Sequence, residues 1–239
     1  MFGQNPIRSA ETDPKRLAIQ STFYTIQGEG PYSGMPALFI RLAGCNLACH
    51  FCDTEFETMA EIYKDTDALV NTLIATLTKT QRKFVVLTGG EPMRQNLLGL
   101  VTRLFESGTE LIQIETAGTL WQPELTGFVS TGSVVLVCSP KTPSVHPLIG
   151  QLTRHWKYIV AAGETSEADG LPNRGTQMAT KDKVQTIFRA NPRHNTIWVS
   201  PRDDYDPVKN QANQDHARDV CLKFGYRLSL QIHKLIGVE

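Results

Sequence analysis

Three cysteines within eight residues, Cys45, Cys49 and Cys52, constrain this chain more than any other feature. The segment reads Gly44-Cys45-Asn46-Leu47-Ala48-Cys49-His50-Phe51-Cys52-Asp53-Thr54, a C-x3-C-x2-C spacing. Three thiolates so placed suit a cubane iron–sulfur cluster, each holding one iron and leaving the fourth open to a small molecule. A closed structural zinc site wants four ligands. The one nearby candidate, His50, directly follows Cys49 and fits a shared tetrahedron poorly. A two-cluster ferredoxin run would carry a fourth cysteine close by, whereas Cys138 and Cys221 lie far along the chain. Five cysteines in this arrangement are not a disulfide framework.

The rest of the sequence supplies a scaffold of ordinary size. With 239 residues, 41% hydrophobic and 20% charged, the chain suits one domain with a sizeable core. We expect residues 1–17 to form a mobile or loosely docked N-terminal arm and 18–239 a single domain. Basic and acidic residues balance at 24 each, so the chain as a whole lacks the basic footprint of a nucleic-acid binder. No apolar run approaches the ~20 residues of a membrane span, and the polar N-terminus carries no signal core. The expectation is a soluble cytoplasmic protein that binds neither membrane nor nucleic acid directly.

Apolar periodicity alternates between strand and helix. Ala37–Leu42, Phe84–Thr88, Leu111–Thr116, Val134–Ser139, Tyr158–Ala161, Thr196–Ser200 and Leu228–His233 read as strands. Asp65–Lys79 reads as a helix capped by Asp65 or Thr66, as do Leu97–Phe105 and Pro207–Phe224; Gly163–Lys181 reads as a long loop. Alternating units predict parallel strands with helices outside, curling into a partial or modified TIM-type barrel; an open doubly wound sheet is the alternative. The unusual polar segments LTGGEP, ETAG, CSPK, VSPR and QIHK each close a strand, so the barrel reading gathers them at one mouth.

Cysteine spacing followed, one βα unit later, by the glycine-rich LTGGEP resembles the radical S-adenosylmethionine (SAM) superfamily. Within it, Phe23-Tyr24-Thr25-Ile26-Gln27-Gly28-Glu29-Gly30 followed by Arg41-Leu42-Ala43-Gly44-Cys45 resembles the 7-carboxy-7-deazaguanine synthase family. The resemblance runs from about Ser21 to the last QIHK segment. It implies a lyase of queuosine and deazapurine biosynthesis. The reaction contracts the ring of 6-carboxy-5,6,7,8-tetrahydropterin to 7-carboxy-7-deazaguanine with loss of ammonia. A [4Fe-4S] cluster, SAM and Mg2+ serve as cofactors, a flavodoxin-like protein as electron donor, and the enzyme is a homodimer. Carried over residue by residue, the family implies the following roles. Cys45, Cys49 and Cys52 ligate the cluster. Phe51, Cys52, Asp53, Gly90, Ser139, Pro140 and Lys141 bind SAM. Ile26, Gln27, Gly28, Arg41, Thr88, Glu115 and His233 hold the substrate, and Thr54 ligates magnesium. Ser200 stands where relatives carry Gln, so no SAM contact carries over to it. The glycyl-radical activating enzymes share the cysteine spacing, and a non-enzymatic iron–sulfur or zinc protein is the alternative of a different class.

Overall fold

The computed structural model describes residues 6–11, 13, 16–54, 61–78, 83–175 and 186–238. Among these, nine strands form one sheet: β1 (Arg16–Ile26), β2 (Pro36–Leu42), β3 (Glu61–Asp65), β4 (Phe84–Gly89), β5 (Leu111–Thr116), β6 (Val134–Cys138), β7 (His155–Val160), β8 (Thr196–Pro201) and β9 (Arg227–Leu228). Their order is β3-β1-β2-β4-β5-β6-β7-β8-β9. From β2 to β9 every pairing is parallel. β1 runs antiparallel to both β2 and β3.

Helices cover the outer face: α1 (Thr66–Leu77), α2 (Leu98–Glu106), α3 (Thr126–Ser130), α4 (Pro147–Leu152) and α5 (Pro207–Phe224). The short α6 (Ile232–Leu235) follows β9. Strand alternation sorts the two faces. Leu38, Ile40 and Leu42 of β2 enter one core with Leu69, Leu73 and Leu77 of α1 and Leu100, Val101 and Leu104 of α2. Phe39 and Arg41, between them, line an interior cavity instead. The same alternation sends Glu115, Lys157 and Ser200 inward from β5, β7 and β8.

This is the partial barrel that the βα alternation predicts, with parallel strands and outer helices. Among the described residues it is not closed by strand pairing. The β1–β2 loop bridges to the far edge instead: the Gly30 amide donates to Ser229 Oγ at 3.1 Å and the Ile232 amide to the Gly28 carbonyl at 3.4 Å.

Most expected elements lie within a few residues of their observed bounds. Asp65 caps α1, accepting from the amides of Asp67 and Ala68 at 3.0 and 3.3 Å; Lys79 lies outside the described residues. Of the expected loop, residues 163–175 are turn-rich and 176–181 lie outside the described residues. One reading needs correction. The strand expected over Leu228–His233 stops at Leu228, and His233 sits on α6. An edge strand with a single neighbour, β8, gains too few ladder bonds to hold its tail extended. Described residues at the end of the expected N-terminal arm contact the domain. β1 begins at Arg16 and Leu17 is fully buried, while the Arg8 amide donates to the Cys45 carbonyl at 2.7 Å.

The bulges of β1 have a specific remedy. Register shifts flank Ile19 on both sides, between Ile19 and Ser21 against β2 and between Leu17 and Ile19 against β3. The buried Gln95 amide stands in for a strand peptide at neighbouring Ala18. Its Oε1 accepts from the Ala18 amide at 2.6 Å and its Nε2 donates to the carbonyls of Ala18 and Ala43 at 3.0 Å each. Gln95→Leu keeps the shape but leaves a buried amide without an acceptor. A loss of about 2–3 kcal/mol is expected, read as a lower urea midpoint at unchanged m-value.

Candidate active site

The strand ends and the β1–β2 loop enclose a cavity of about 780 Å3, within the usual range for small-molecule sites. Its rim carries the cysteine loop. Cys45 is buried and Cys49 and Cys52 are half-buried. The loop is ordered locally: the Cys45 sulfur accepts from the Leu47 amide at 3.4 Å, the Cys52 amide donates to the Cys49 carbonyl at 3.1 Å, and the Cys52 thiol donates to the Thr54 carbonyl at 3.3 Å. Burial pushes the Cys45 thiol up to about 12 and the Cys52 thiol up to about 11. Thiols held so high become thiolates only beside a positive charge, and bound iron is such a charge. The donor set of three sulfurs fits a cluster. Among the described residues no three His, Cys, Asp or Glu side chains converge on one metal ion; a cubane makes a different demand, one thiolate on each of three irons.

The glycine pair after β4 fixes how the cysteine loop sits. Gly89 has φ +129, and a Cβ there would come within 2.1 Å of the Leu42 carbonyl oxygen. A Cβ on Gly90 would come within 2.1 Å of the Gly44 carbonyl oxygen and 3.0 Å of Cys45 Cβ. Two glycines therefore let β4 lie backbone to backbone against the start of the cysteine loop. The amides of Gly90 and Glu91 complete the contact by donating to the carbonyls of Leu42 and Gly44, both at 3.1 Å.

Glu91 was not singled out by sequence reasoning, yet it is completely buried. Its carboxylate accepts from Thr116 Oγ1 at 2.7 Å, the Ala117 amide at 2.8 Å and the Met93 amide at 3.0 Å. It thereby locks the end of β5 to the end of β4. Burial pushes its pKa above the ordinary carboxylate value, against the three donated bonds, which pull the other way.

The residues expected to bind SAM surround the cysteines. Phe51, Asp53, Gly90, Ser139 and Lys141 line the cavity. Pro140 is buried and does not line it. Lys141 Nζ donates to the Ser139 carbonyl at 2.9 Å and lies 6.0 Å from the centre of the Phe51 ring. Burial lowers its pKa. Thr54 also lines the cavity, its hydroxyl donating to Asp53 Oδ1 at 3.3 Å. Ser200 is buried against the wall, its hydroxyl donating to the Ser229 carbonyl at 2.8 Å. Tyr205, which the sequence did not flag, reaches the rim with φ 55 and donates from its hydroxyl to the Asp53 carbonyl at 3.4 Å.

The residues expected to hold a substrate form the floor and inner wall. Ile26, Gln27, Arg41, Thr88, Glu115 and His233 all line the cavity. Gly28 instead lies beneath His233, where a Cβ would come within 1.9 Å of the imidazole Nδ1. Burial lowers the pKa of His233. Arg41 stacks 5.0 Å over the Phe23 ring, and its guanidinium has no carboxylate partner among the described residues. Glu115 accepts from Thr88 Oγ1 at 3.2 Å, Gln113 Nε2 at 2.9 Å and Gln27 Nε2 at 3.1 Å. Below them an ion pair missed by the sequence reading joins Lys157 Nζ to Glu29 Oε2 at 2.6 Å. No local sequence signal marks it, since its partners lie 128 residues apart.

Because Glu91 faces only donors, replacing one of its oxygens by an NH2 group turns an acceptor toward a donor. Glu91→Gln is expected to destabilise the protein by about 2 kcal/mol and to reduce cluster retention after anaerobic reconstitution. Chemical denaturation and iron analysis of the same preparation measure both.

Comparison with known proteins adds independent findings. The family described as a 4Fe-4S single cluster domain matches residues 26–129. The 7-carboxy-7-deazaguanine synthase of Rhodospirillum rubrum is 41% identical over the full length of both chains. That of Burkholderia multivorans is 44% identical, covering 92% of this chain and 98% of its own. Among solved structures, QueE from Escherichia coli superposes with a TM-score of 0.59 at 23% identity, covering 90% of this chain and 93% of its own; at that identity it speaks to the fold.

Proposed function

The chain belongs to the 7-carboxy-7-deazaguanine synthase family, and from that premise we infer that its cavity contracts the ring of 6-carboxy-5,6,7,8-tetrahydropterin. The product is 7-carboxy-7-deazaguanine, and ammonia is lost. The observation that carries this reading is a single cavity lined at its rim by Cys45, Cys49 and Cys52 and deeper by Gln27, Arg41, Thr88 and Glu115. The cysteines would hold the [4Fe-4S] cluster, and Phe51, Asp53, Gly90, Ser139 and Lys141 would hold SAM beside it. When bound, the two cofactors supply one-electron chemistry and reversible hydrogen abstraction.

The chain's own residues then bind, orient and exclude water. Arg41 offers a planar pair of donors to the substrate carboxylate, and its guanidinium carbon sits 5.0 Å from the Phe23 ring centre, within cation–π range. Glu115 already accepts three hydrogen bonds from neutral side chains and can accept from the amine-bearing edge of a pterin in their place. Ile26, Gln27 and Gly28 form the holding loop, and His233 closes over it from α6. Thr54 is the proposed magnesium ligand. A single hydroxyl is a weak site for an ion that prefers six oxygens, so substrate oxygens must complete the shell. The family resemblance further supports a one-electron donor such as a flavodoxin, a homodimer and a cytoplasmic location. Among the described residues no helix is long and apolar enough to cross a membrane, and the balanced charge supports a reading without direct nucleic-acid contact.

Turnover tests the assignment. Anaerobically reconstituted protein with SAM, a reductant and the carboxypterin should release 7-carboxy-7-deazaguanine, and absence of product from cluster-loaded protein would overturn it. In the same assay Arg41→Ala removes a charge-assisted pair of ~1.5–3 kcal/mol. Pterin affinity is expected to fall roughly 10- to 100-fold with SAM affinity much less changed; an equal loss of both would assign Arg41 to the fold.

Magnesium and substrate should raise each other's affinity, as linkage requires. Titration of pterin with and without magnesium is expected to show tighter binding with the ion in the wild type and a much smaller effect in Thr54→Ala. Pterin affinity indifferent to magnesium would remove the metal from the scheme.

A further inference from the structure

The cavity floor is organised by a group to which the family resemblance assigns no role. Lys157 projects inward from β7 and is nearly buried, as is its partner; their side chains are 11% and 13% exposed. From Glu29 the bonding continues in one direction. The Glu29 amide donates to Gln27 Oε1 at 3.0 Å, and Gln27 Nε2 donates to Glu115 Oε1 at 3.1 Å. Gln27 is itself 2% exposed. Its backbone closes the β1–β2 loop, with its amide donating to the Met35 carbonyl and its carbonyl accepting from the Gly34 amide, both at 2.8 Å. Lys157, Glu29, Gln27 and Glu115 thus form one chain of contacts from β7 through the loop to β5.

We propose that Lys157 is a positioning residue for substrate: as the counter-ion of Glu29 it anchors the Gln27–Gly30 loop across the barrel, and through Gln27 it sets where the Glu115 carboxylate stands. This rests on the reading of Glu115 and the loop as the substrate floor. Two observations favour a positioning role over a merely stabilising one. A buried ion pair is a weak source of net stability, because desolvation offsets the attraction, so a pair placed in a cavity wall calls for another account. The field of Lys157 also extends beyond its partner. Burial pulls its pKa down, but Glu29 and then Glu115 outweigh that and hold it above the ordinary lysine value. Without Lys157, the Glu29 carboxylate loses its counter-ion and the loop loses its tie to β7.

The test is a double-variant comparison on reconstituted holoenzyme. Lys157→Met alone leaves a buried carboxylate without a counter-ion and is expected to lower the Tm. Glu29→Gln combined with Lys157→Met removes both members of the ion pair and strands neither, so Tm, iron content and uncoupled SAM cleavage should return close to wild type. Under the proposal the pterin KM stays raised in that double variant, roughly 10- to 100-fold, and is raised to a similar extent in Glu29→Gln alone, because the two residues act as one unit. A double variant that recovers a wild-type pterin KM along with its Tm would reduce Lys157 to a structural group. A KM raised by Lys157→Met but not by Glu29→Gln would make Lys157 a direct substrate contact and overturn the positioning role. If the wild-type holoenzyme cleaves SAM but does not turn over the carboxypterin, the functional reading falls and this proposal falls with it. Wild-type turnover with an indifferent double variant would sink this proposal alone.

Discussion

Glu91 has no access to water and three donors aimed at it, and the architecture of the mouth depends on that arrangement. A buried carboxylate is costly unless it is well hydrogen-bonded. Thr116, Ala117 and Met93 engage it, and they can do so only with β4 and β5 ending at the same height. The amides of Gly90 and Glu91 then reach the carbonyls of Leu42 and Gly44, which draws in the end of β2 and the root of the cysteine loop. Three strand ends and one loop are held by one side chain and two backbone amides. The cysteines converge on the cavity because the backbone beneath them has no slack.

Two further buried side chains bind backbone in the same way. Gln95 substitutes for a missing strand neighbour at Ala18. Arg94 spans two segments, donating to the Ala43 carbonyl at 3.2 Å and to the Ser9 carbonyl at 2.6 Å. Its guanidinium stacks so close to Gly44 that a Cβ there would come within 2.9 Å of Nη2. Arg94 and Gln95 thus serve the backbone that leads into the cysteine loop. That loop carries few apolar contacts of its own: Cys45 and Leu47 form a small separate cluster with Cys49, Cys52 and Ala117. Its order comes from hydrogen bonds supplied by its neighbours more than from a core.

The cysteine spacing, the glycine pair and most strands were legible because their signals are local. Spacing fixes which thiols can share a cluster, and short apolar runs such as Phe84–Thr88 can be little other than buried strands. β1 escaped because its bulges break the two-residue alternation on which strand reading depends. Glu91 escaped because its partners are two backbone amides and a hydroxyl, which no side-chain pattern announces. Lys157 sits in a strand that reads as HWKYIV, where one lysine suggests an edge position. It lies instead between two paired strands, and only the distant Glu29 explains it. His233 was placed near the substrate on resemblance, and it does line the cavity. Its helical setting was not readable from a segment whose last strand is two residues long.

In a closed barrel the bore is dictated by strand number and shear, so it changes only by re-registering the whole sheet. Here the last gap is spanned by the β1–β2 loop, fastened to Ser229 and Ile232 on the far edge. The bore therefore depends on the length and conformation of a hairpin connection, and such connections tolerate insertion and deletion far better than strands do. A lineage built on this scaffold can widen or narrow its reaction chamber by editing a few residues between Ile26 and Pro36, while every parallel strand keeps its register and the cysteine loop keeps its place.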